Sequence, residues 1–218
     1  MLKLALVGVV LCTASLAPAQ PTARISPSSI SPDGRYGVTV SEQPGDHANQ
    51  LVEVASGKVL AELSSDVAFE HQNHATIDPK WSADGKTLVW YVDGKWGSFA
   101  VVVVRIENGA VKWQTNVREL GVLRALEAAR KANPKAYALA KQQGETSGSW
   151  FRDGFAIEVR PEVSGKSKSA LPLRVSITMT SDPKQLDSYP KAARLAGTMS
   201  AVLGADGALT FSKLVITR

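Results

Sequence analysis

A seven-residue segment occurs twice in the chain, and this repeat constrains the fold more than any other feature. The first copy runs from Ile30 to Tyr36, and the second, 51 residues later, runs from Trp81 to Thr87. Both contain a serine followed by Asp-Gly and a basic residue, and both lead into β-formers. A small sheet cannot bury its apolar face without a neighbour, so a repeat of this period indicates stacked β-units that begin with the same tight turn.

The second unit has the clearer strand pattern. Residues 87–92, 95–106 and 110–115 are rich in β-formers, with Asp93-Gly94 and Asn108-Gly109 between them. Both dipeptides suit two-residue hairpins, because glycine tolerates positive φ freely and Asn or Asp tolerate it better than most residues do. The pattern predicts three antiparallel strands in sequence order.

The middle strand of this unit is apolar at every position from Phe99 to Val104. A half-exposed strand alternates apolar and polar residues, whereas an uninterrupted apolar run is typical of a strand covered on both faces. We therefore expect a second layer to pack on the far side of this strand.

The segment that follows is the best candidate for that layer. Asn116 and Glu119 suit the start of a helix with a reciprocal N3 acid, so a helix is predicted from about Val117 to Ala132. Apolar residues recur along it at near-helical spacing: Leu120, Leu123, Leu126 and Ala129. A second, shorter helix is predicted over residues 134–144, because Pro134 suits a first helical position and Gly144 a helix end.

After this helical element, β-character returns. Residues 155–160 form one predicted strand, residues 173–180 alternate apolar and polar side chains, and residues 195–203 and 209–216 flank a turn. The predicted fold class is α+β, mostly antiparallel β-sheet of about ten hairpin-rich strands with one main helix packed on the sheet. Residues 20–218 are predicted to form a single domain, divided as a repeat-bearing β half (20–115), the helical element (116–144) and a basic β half (145–218).

The repeat resembles a known family. Ser31-Pro32-Asp33-Gly34-Arg35 and Trp81-Ser82-Ala83-Asp84-Gly85-Lys86, each followed by a strand and later by a hairpin at Ser56-Gly57-Lys58 or Asn108-Gly109, resemble the repeats of TolB-type β-propellers over about residues 25–115. The resemblance implies a non-enzymatic, exported scaffold that binds partners. A closed propeller uses about four to eight blades and only two units are recognisable, so we expect the local turns and not the ring.

The N-terminus reads as a secretory signal peptide over residues 1–19. Lys3 supplies a positive start, residues 4–16 are apolar, and Ala17-Pro18-Ala19 suits cleavage before Gln20. A secreted or periplasmic protein is predicted, and no transmembrane segment, because no other stretch has the roughly 20 apolar residues that a spanning helix needs. Cys12, the one cysteine, also invites lipidation, but Leu11 before it is bulky where a lipidation site has a small residue.

Charge divides the chain. Residues 20–104 carry 6 Lys and Arg against 10 Asp and Glu, a net −4, and residues 105–218 carry 18 against 10, a net +8. Two interpretations stay open: the halves complement each other across an internal contact, or the basic half meets an anionic surface such as lipid headgroups or acidic glycan. Export argues against nucleic acid as a partner.

Metal, cofactor and nucleophile motifs are weak. His71 and His74, with Glu70 and Asp78 nearby, have the spacing of two ligands on one helical turn, but the flanking polar residues favour a plain loop. Ser181 and Lys184 match Ser-x-x-Lys without the other motifs of that chemistry. We therefore predict no cofactor, no metal and no catalytic residue.

Aromatic residues in the second unit are the predicted binding residues. By strand parity Trp90 and Tyr91 fall on opposite faces, and exposed indoles stack on sugar rings or anchor a protein partner. The alternative is that they fill the core. The predicted binding residues are Trp90, Tyr91, Trp96 and Trp113.

The sequence favours an exported, non-catalytic binding or scaffold protein that holds a protein or cell-envelope glycan partner. The alternative is an exported hydrolase that uses loop carboxylates such as Asp46, Asp78 or Asp153, because the spacing of paired carboxylates is set by the fold and leaves no motif.

Overall fold

The computed structural model describes residues 24–41, 48–63, 69, 72–95, 97–163, 170–184, 187 and 189–217. Within them it contains fourteen strands in three antiparallel sheets, and two helices. The predicted signal peptide, Trp96, His71 and the basic loop at 164–169 lie outside the described residues. No helix in the described part of the chain is long and apolar enough to cross a membrane.

The first sheet pairs four strands in sequence order: β1 (Arg24–Ile25), β2 (Tyr36–Val40), β3 (Gln50–Glu53) and β4 (Val59–Glu62). The second sheet has β7 and β8 at its centre and consists of β5 (Ala75–Ile77), β6 (Lys80–Trp81), β7 (Thr87–Gly94), β8 (Ala100–Glu107) and β9 (Ala110–Asn116). Two helices follow, α1 (Val117–Ala132) and α2 (Pro134–Ser147). The third sheet consists of β10 (Phe155–Glu162), β11 (Leu173–Ser181), β12 (Ala196–Leu203), β13 (Leu209–Phe211) and β14 (Val215–Thr217).

The predicted class, α+β with mostly antiparallel sheet, is confirmed, but the predicted counts of about ten strands and one main helix are too low. The additional strands are mostly pieces of two or three residues, such as β1 and β6, which are too short to show a period of two. The second helix is longer than predicted, since it runs past Gly144 and ends at Gly148, which has φ +67°. Gly144 is buried inside the helix rather than at its end.

The repeated segment forms the same turn in both copies. The Ser31 hydroxyl donates to the Asp33 carboxylate at 2.6 Å and accepts the Tyr36 N–H at 3.0 Å. In the second copy the Ser82 hydroxyl donates to Asp84 at 2.5 Å and accepts the Thr87 N–H at 2.9 Å. The serine, the aspartate and the glycine with positive φ each have a defined part, so the repeat specifies a turn and the strand that leaves it.

Loss of either turn serine is expected to destabilise the protein. Ser31 and Ser82 are both buried, so Ser31→Ala or Ser82→Ala leaves a buried backbone N–H without a partner and lowers the free energy of unfolding by about 1–2 kcal/mol. Ser56 makes comparable hydrogen bonds to Glu53 and Lys58 in an exposed turn, where water replaces them. Ser56→Ala is the matched control, and urea denaturation that showed equal losses for all three variants would contradict the structural role of the repeat.

The second sheet is covered on both faces, as the apolar run predicts. Val102 and Val104 face the first sheet in a core that includes Trp90 and Leu51. Val101 and Val103 belong to a second core on the other side. That core is built from the two helices and the third sheet, where its members include Val122, Leu126, Val159 and Ile177. The second sheet therefore lies between the first sheet on one face and the helices together with the third sheet on the other, with β8 near the middle.

Helix α1 begins where the sequence predicts, since the Asn116 side chain accepts the Glu119 N–H at 3.0 Å. Of the four residues predicted to pack, Leu126 and Ala129 are buried, but Leu120 and Leu123 are exposed. The buried face includes Gly121, where a Cβ would lie 3.1 Å from a methyl of Val159. The helix lies too close to the third sheet for leucine at that contact.

The hairpin between β7 and β8 also differs from the prediction. Asn108-Gly109 turns the chain between β8 and β9 with both φ values positive, as predicted. Asp93 and Gly94, in contrast, continue β7 by pairing with Thr76 and Ala75 of β5. The connection is therefore the longer segment 95–99, which reaches toward β10: a Cβ on Gly97 would lie 3.0 Å from the carbonyl oxygen of Ile157.

Candidate functional site

The three predicted aromatic residues that the structure describes do not form one binding face. Trp90 is fully buried between the first and second sheets, and it is therefore a core residue in this structure and not a binding residue. Tyr91 lies on the opposite face, as strand parity predicts, and packs half-buried against the other core. Burial, followed by a hydrogen bond to Asp93, raises the pKa of the Tyr91 hydroxyl well above its ordinary value.

Trp113 joins the second sheet to the third. Its indole Nε1 donates to the Ala205 carbonyl oxygen at 3.1 Å, and its ring lies over Gly207, where a Cβ would come within 2.8 Å of the indole. This contact occupies the ring and fixes the turn between β12 and β13. Trp113 therefore has a structural role in holding the sheets together.

A concave feature among the described residues lies elsewhere, between Lys95 and residues 97–99, the first turns of α1 and the segment that leads into β10. It is a cleft of about 520 Å³, within the range of small-molecule sites. We call it the aromatic–basic cleft. Its apolar lining includes Phe99, Val122, Trp150, Phe151, Phe155 and Ile157, and its basic lining consists of Lys95, Arg118, Arg152 and Lys184.

The floor of the cleft is apolar and held in place. Phe155 is buried and stacks on the ring of Tyr137 from α2, with ring centroids 5.4 Å apart. The Tyr137 hydroxyl donates to the Asp153 carboxylate, which also pairs with Lys141 at 3.3 Å. Burial, followed by that hydrogen bond, raises the pKa of Tyr137, so its ring stays neutral and fixed behind Phe155.

The rim carries the most exposed aromatic side chain in the described part of the molecule. Trp150 is 72% exposed, and the Lys184 ammonium lies 4.1 Å from the centroid of its ring. A cation over an indole face is attracted by the ring quadrupole. Tryptophan is also among the side chains that contribute most at binding interfaces, so Trp150 is a candidate contact residue.

A buried carboxylate ties the two parts of the rim together. Asp182, which is almost fully buried, accepts hydrogen bonds from the Ser149 hydroxyl at 2.6 Å and from the Lys184 backbone N–H at 2.9 Å. Its own N–H donates to the Gly154 carbonyl oxygen at 2.9 Å. The Asp182 side chain therefore positions both Ser149, which precedes Trp150, and Lys184, whose ammonium lies over the Trp150 ring.

The cleft is electropositive. None of the fourteen residues that line it is acidic, and four are lysine or arginine. Arg118 Nε donates to the carbonyl oxygen of Ser98, another lining residue, at 2.5 Å, and Arg152 pairs with Glu119, which does not line the cleft, at 2.8 Å. Cations gathered around an apolar surface favour a ligand that carries negative charge.

Of the carboxylates considered for hydrolysis, the two that the structure describes, Asp78 and Asp153, do not line the cleft. Asp78 pairs with Lys80 at 2.6 Å on the surface, Asp153 binds Tyr137 and Lys141, and Asp46 lies outside the described residues. The two residues of the Ser-x-x-Lys match are not arranged as a nucleophile and its base. Ser181 is fully buried with its hydroxyl bonded to the backbone of Leu195, and Lys184 points to Trp150.

Only part of the histidine cluster lies within the described residues. His74 lies on the cleft wall with φ +61°, whereas His71 and Glu70 fall outside the described residues. Among the residues that are described, no group of three or more His, Cys, Asp or Glu side chains is placed to hold a metal ion.

Sequence reasoning missed the residues of the cleft. They come from five separate parts of the chain and share no period or motif. One local signal existed, because Trp150-Phe151-Arg152 follows a polar loop directly, and two adjacent large aromatic residues outside a strand or helix are unusual for a solvated connection.

Neither a protein-family model nor a curated protein sequence matches the chain. A solved structure, the hydrazine synthase of Kuenenia stuttgartiensis, is similar over 84% of this chain and 40% of its own, with 16% sequence identity and a TM-score of 0.32. This chain spans less than half the length of that one. The functional assignment therefore rests on the geometry of the cleft.

Proposed function

We propose that the protein is an exported, non-catalytic binding protein that holds its partner at the aromatic–basic cleft. The partner is a protein or a glycan of the cell envelope, and the part of it that meets the cleft is anionic. Export to the periplasm or beyond follows from the predicted signal peptide at residues 1–19. The likeness of the two N-terminal units to TolB-type repeats supports a scaffold role, and those units form two antiparallel sheets that share one apolar core.

One observation carries this proposal. A concave, mainly apolar surface is ringed by four cations, with an exposed indole at its edge and no acid among the described residues that line it. Binding sites combine apolar area for affinity with a few charged groups for orientation. Aromatic and arginine side chains are also the residues that contribute most at protein interfaces.

The hydrolase alternative receives less support. Glycoside and peptide hydrolysis by carboxylates needs two acids that flank the bound substrate. Neither Asp78 nor Asp153 faces the cleft, and both have basic partners.

A titration series tests the proposal. We expect oligosaccharides of uronic acids, or acidic peptides with aromatic residues, to bind with micromolar affinity in calorimetry, and neutral oligosaccharides of the same length to bind at least tenfold more weakly. Trp150→Ala should weaken binding about tenfold, because stacking on an exposed indole contributes roughly 1–3 kcal/mol.

The matched control is Trp113→Phe, which changes an indole that contacts the third sheet and not the cleft. Equal loss from both variants would contradict the assignment of the cleft. New reducing ends or cleaved peptides after prolonged incubation would contradict the non-catalytic role and favour the hydrolase.

A further inference from the structure

We infer that the group which enters the aromatic–basic cleft is an amphipathic anion: an apolar ring or chain that ends in a carboxylate, sulfonate or phosphate. The inference rests on the proposed function, because it concerns the same cleft, and it deepens it by naming the chemistry of the occupant. A neutral apolar molecule is the occupant that the cleft disfavours, and a charged but fully polar sugar chain is expected to bind more weakly than an amphipathic anion.

The floor selects for an apolar group. Val122, Phe155 and Ile157 line the deep part of the cleft, and all three are buried. A polar chain at this depth would lose water without gaining hydrogen bonds from these side chains, which costs free energy. An apolar ring or alkyl chain instead gains roughly 25 cal/mol for each Å² that it removes from water.

The mouth selects for a negative charge. Lys95, Arg152 and Lys184 are all exposed, and they surround an opening that Trp150 and Phe99 also border. Two acids lie near this opening, Glu119 in an ion pair with Arg152 and Asp182 in a hydrogen bond with Ser149. The four cations of the lining outnumber these two acids, so the net charge at the mouth is positive. An anionic end group placed there meets several cations while its apolar part lies on the floor.

The volume also decides between kinds of occupant. A cleft of about 520 Å³ holds a molecule or a terminal group of small-molecule size, and not the 20–30 residues that a standard protein interface uses on each side. A larger partner would therefore insert one amphipathic group and leave the rest of its contacts outside.

Two dyes that differ only in charge test the inference. 1-Anilinonaphthalene-8-sulfonate and N-phenyl-1-naphthylamine share their rings, but only the first carries a sulfonate. We expect the folded protein, verified by near-UV circular dichroism, to bind the sulfonate at least tenfold more tightly at low salt. Raising the salt concentration should reduce this preference, because exposed charges are screened.

Paired variants separate the charge from the apolar floor. Lys95→Gln with Lys184→Gln should weaken binding of the sulfonate about tenfold and change binding of the neutral dye less than twofold. Lys135→Gln with Lys213→Gln removes the same two charges from exposed sites that do not line the cleft, and should change neither affinity. Phe99→Ala with Trp150→Ala should weaken both dyes, because both lose apolar contact.

The outcomes also distinguish the inference from the proposed function. If both dyes bind equally and the lysine variants have no effect, the preference for an anion is wrong although the cleft still binds. If a uronic oligosaccharide displaces the sulfonate dye and binds more tightly than the dye does, the occupant is a polar chain and the inference fails. If the Phe99→Ala and Trp150→Ala pair leaves the affinity of every probe unchanged, the cleft is not the site and the proposed function fails with it.

Discussion

Val103→Asp is expected to unfold the protein at room temperature or to leave it only marginally stable. Val103 is fully buried where the second sheet packs against the helices and the third sheet, in a core of apolar side chains. An unpaired charge buried in such a place costs about 3–5 kcal/mol, a large part of the 5–15 kcal/mol by which domains are stable. Val102→Asp should cost as much, because Val102 is equally buried against the first sheet.

These two variants test the layered fold directly, since each one probes a different face of β8. The control is Val202→Asp on β12, where the side chain is 41% exposed and lies across from Arg174. It should shift the midpoint of urea denaturation by an amount equivalent to less than about 0.5 kcal/mol. If either Val102→Asp or Val103→Asp behaves like the control, that face of the sheet is open to water and the described stacking is wrong.

Gly154→Ala is the second substitution with a large expected effect. Gly154 has φ +74°, and a Cβ there would lie 2.8 Å from the Ala140 carbonyl oxygen and 2.9 Å from the Tyr189 hydroxyl. The backbone strain costs about 1–2 kcal/mol, and the forced separation of α2 from this segment adds about 1–3 kcal/mol. We therefore expect a loss of roughly 3 kcal/mol in the free energy of unfolding.

A second glycine isolates the packing contribution. Gly148 has a similar φ, +67°, but a Cβ there meets nothing within 4 Å. Gly148→Ala should therefore lose only the strain, about 1 kcal/mol. Gly154 also lies next to the cleft, because Phe155 follows it in the chain and the Asp182 N–H donates to the Gly154 carbonyl oxygen. Gly154→Ala should therefore weaken dye binding at the cleft, whereas Gly148→Ala should not. Similar losses in the free energy of unfolding for Gly154→Ala and Gly148→Ala would show that α2 does not pack closely against the chain at Gly154.

The elements that the sequence predicts well are those whose causes are local. The two Asp-Gly turns form because, within five residues, the serine hydroxyl donates to the aspartate carboxylate and the glycine adopts the positive φ of the turn. Helix α1 spans Val117–Ala132 as predicted, because Asn116 caps its start and Pro134 cannot continue it. The covered strand β8 is readable because a run without polar residues has no stable exposed face.

What the sequence could not predict depends on how the layers pack. Parity separates Trp90 from Tyr91, but only the position of the first sheet decides that Trp90 is buried. Leu120 and Leu123 have helical spacing, yet the close approach at Gly121 turns them to solvent. The cleft combines residues that are up to 111 positions apart, from Asn73 to Lys184, so that no local pattern indicates it.

The binding role is tested most directly by the indole N–H signals in a proton–nitrogen NMR spectrum, recorded as 1-anilinonaphthalene-8-sulfonate is added to saturation. The Trp150 signal reports on the cleft rim, and the Trp113 signal reports on the contact between the second and third sheets. The Trp90 signal reports on the core between the first two sheets. The structure predicts that the Trp150 signal, assigned with Trp150→Phe, shifts strongly while the signals of Trp90 and Trp113 stay in place. A shift of Trp113 with Trp150 unmoved would contradict the assignment of the aromatic–basic cleft as the binding site.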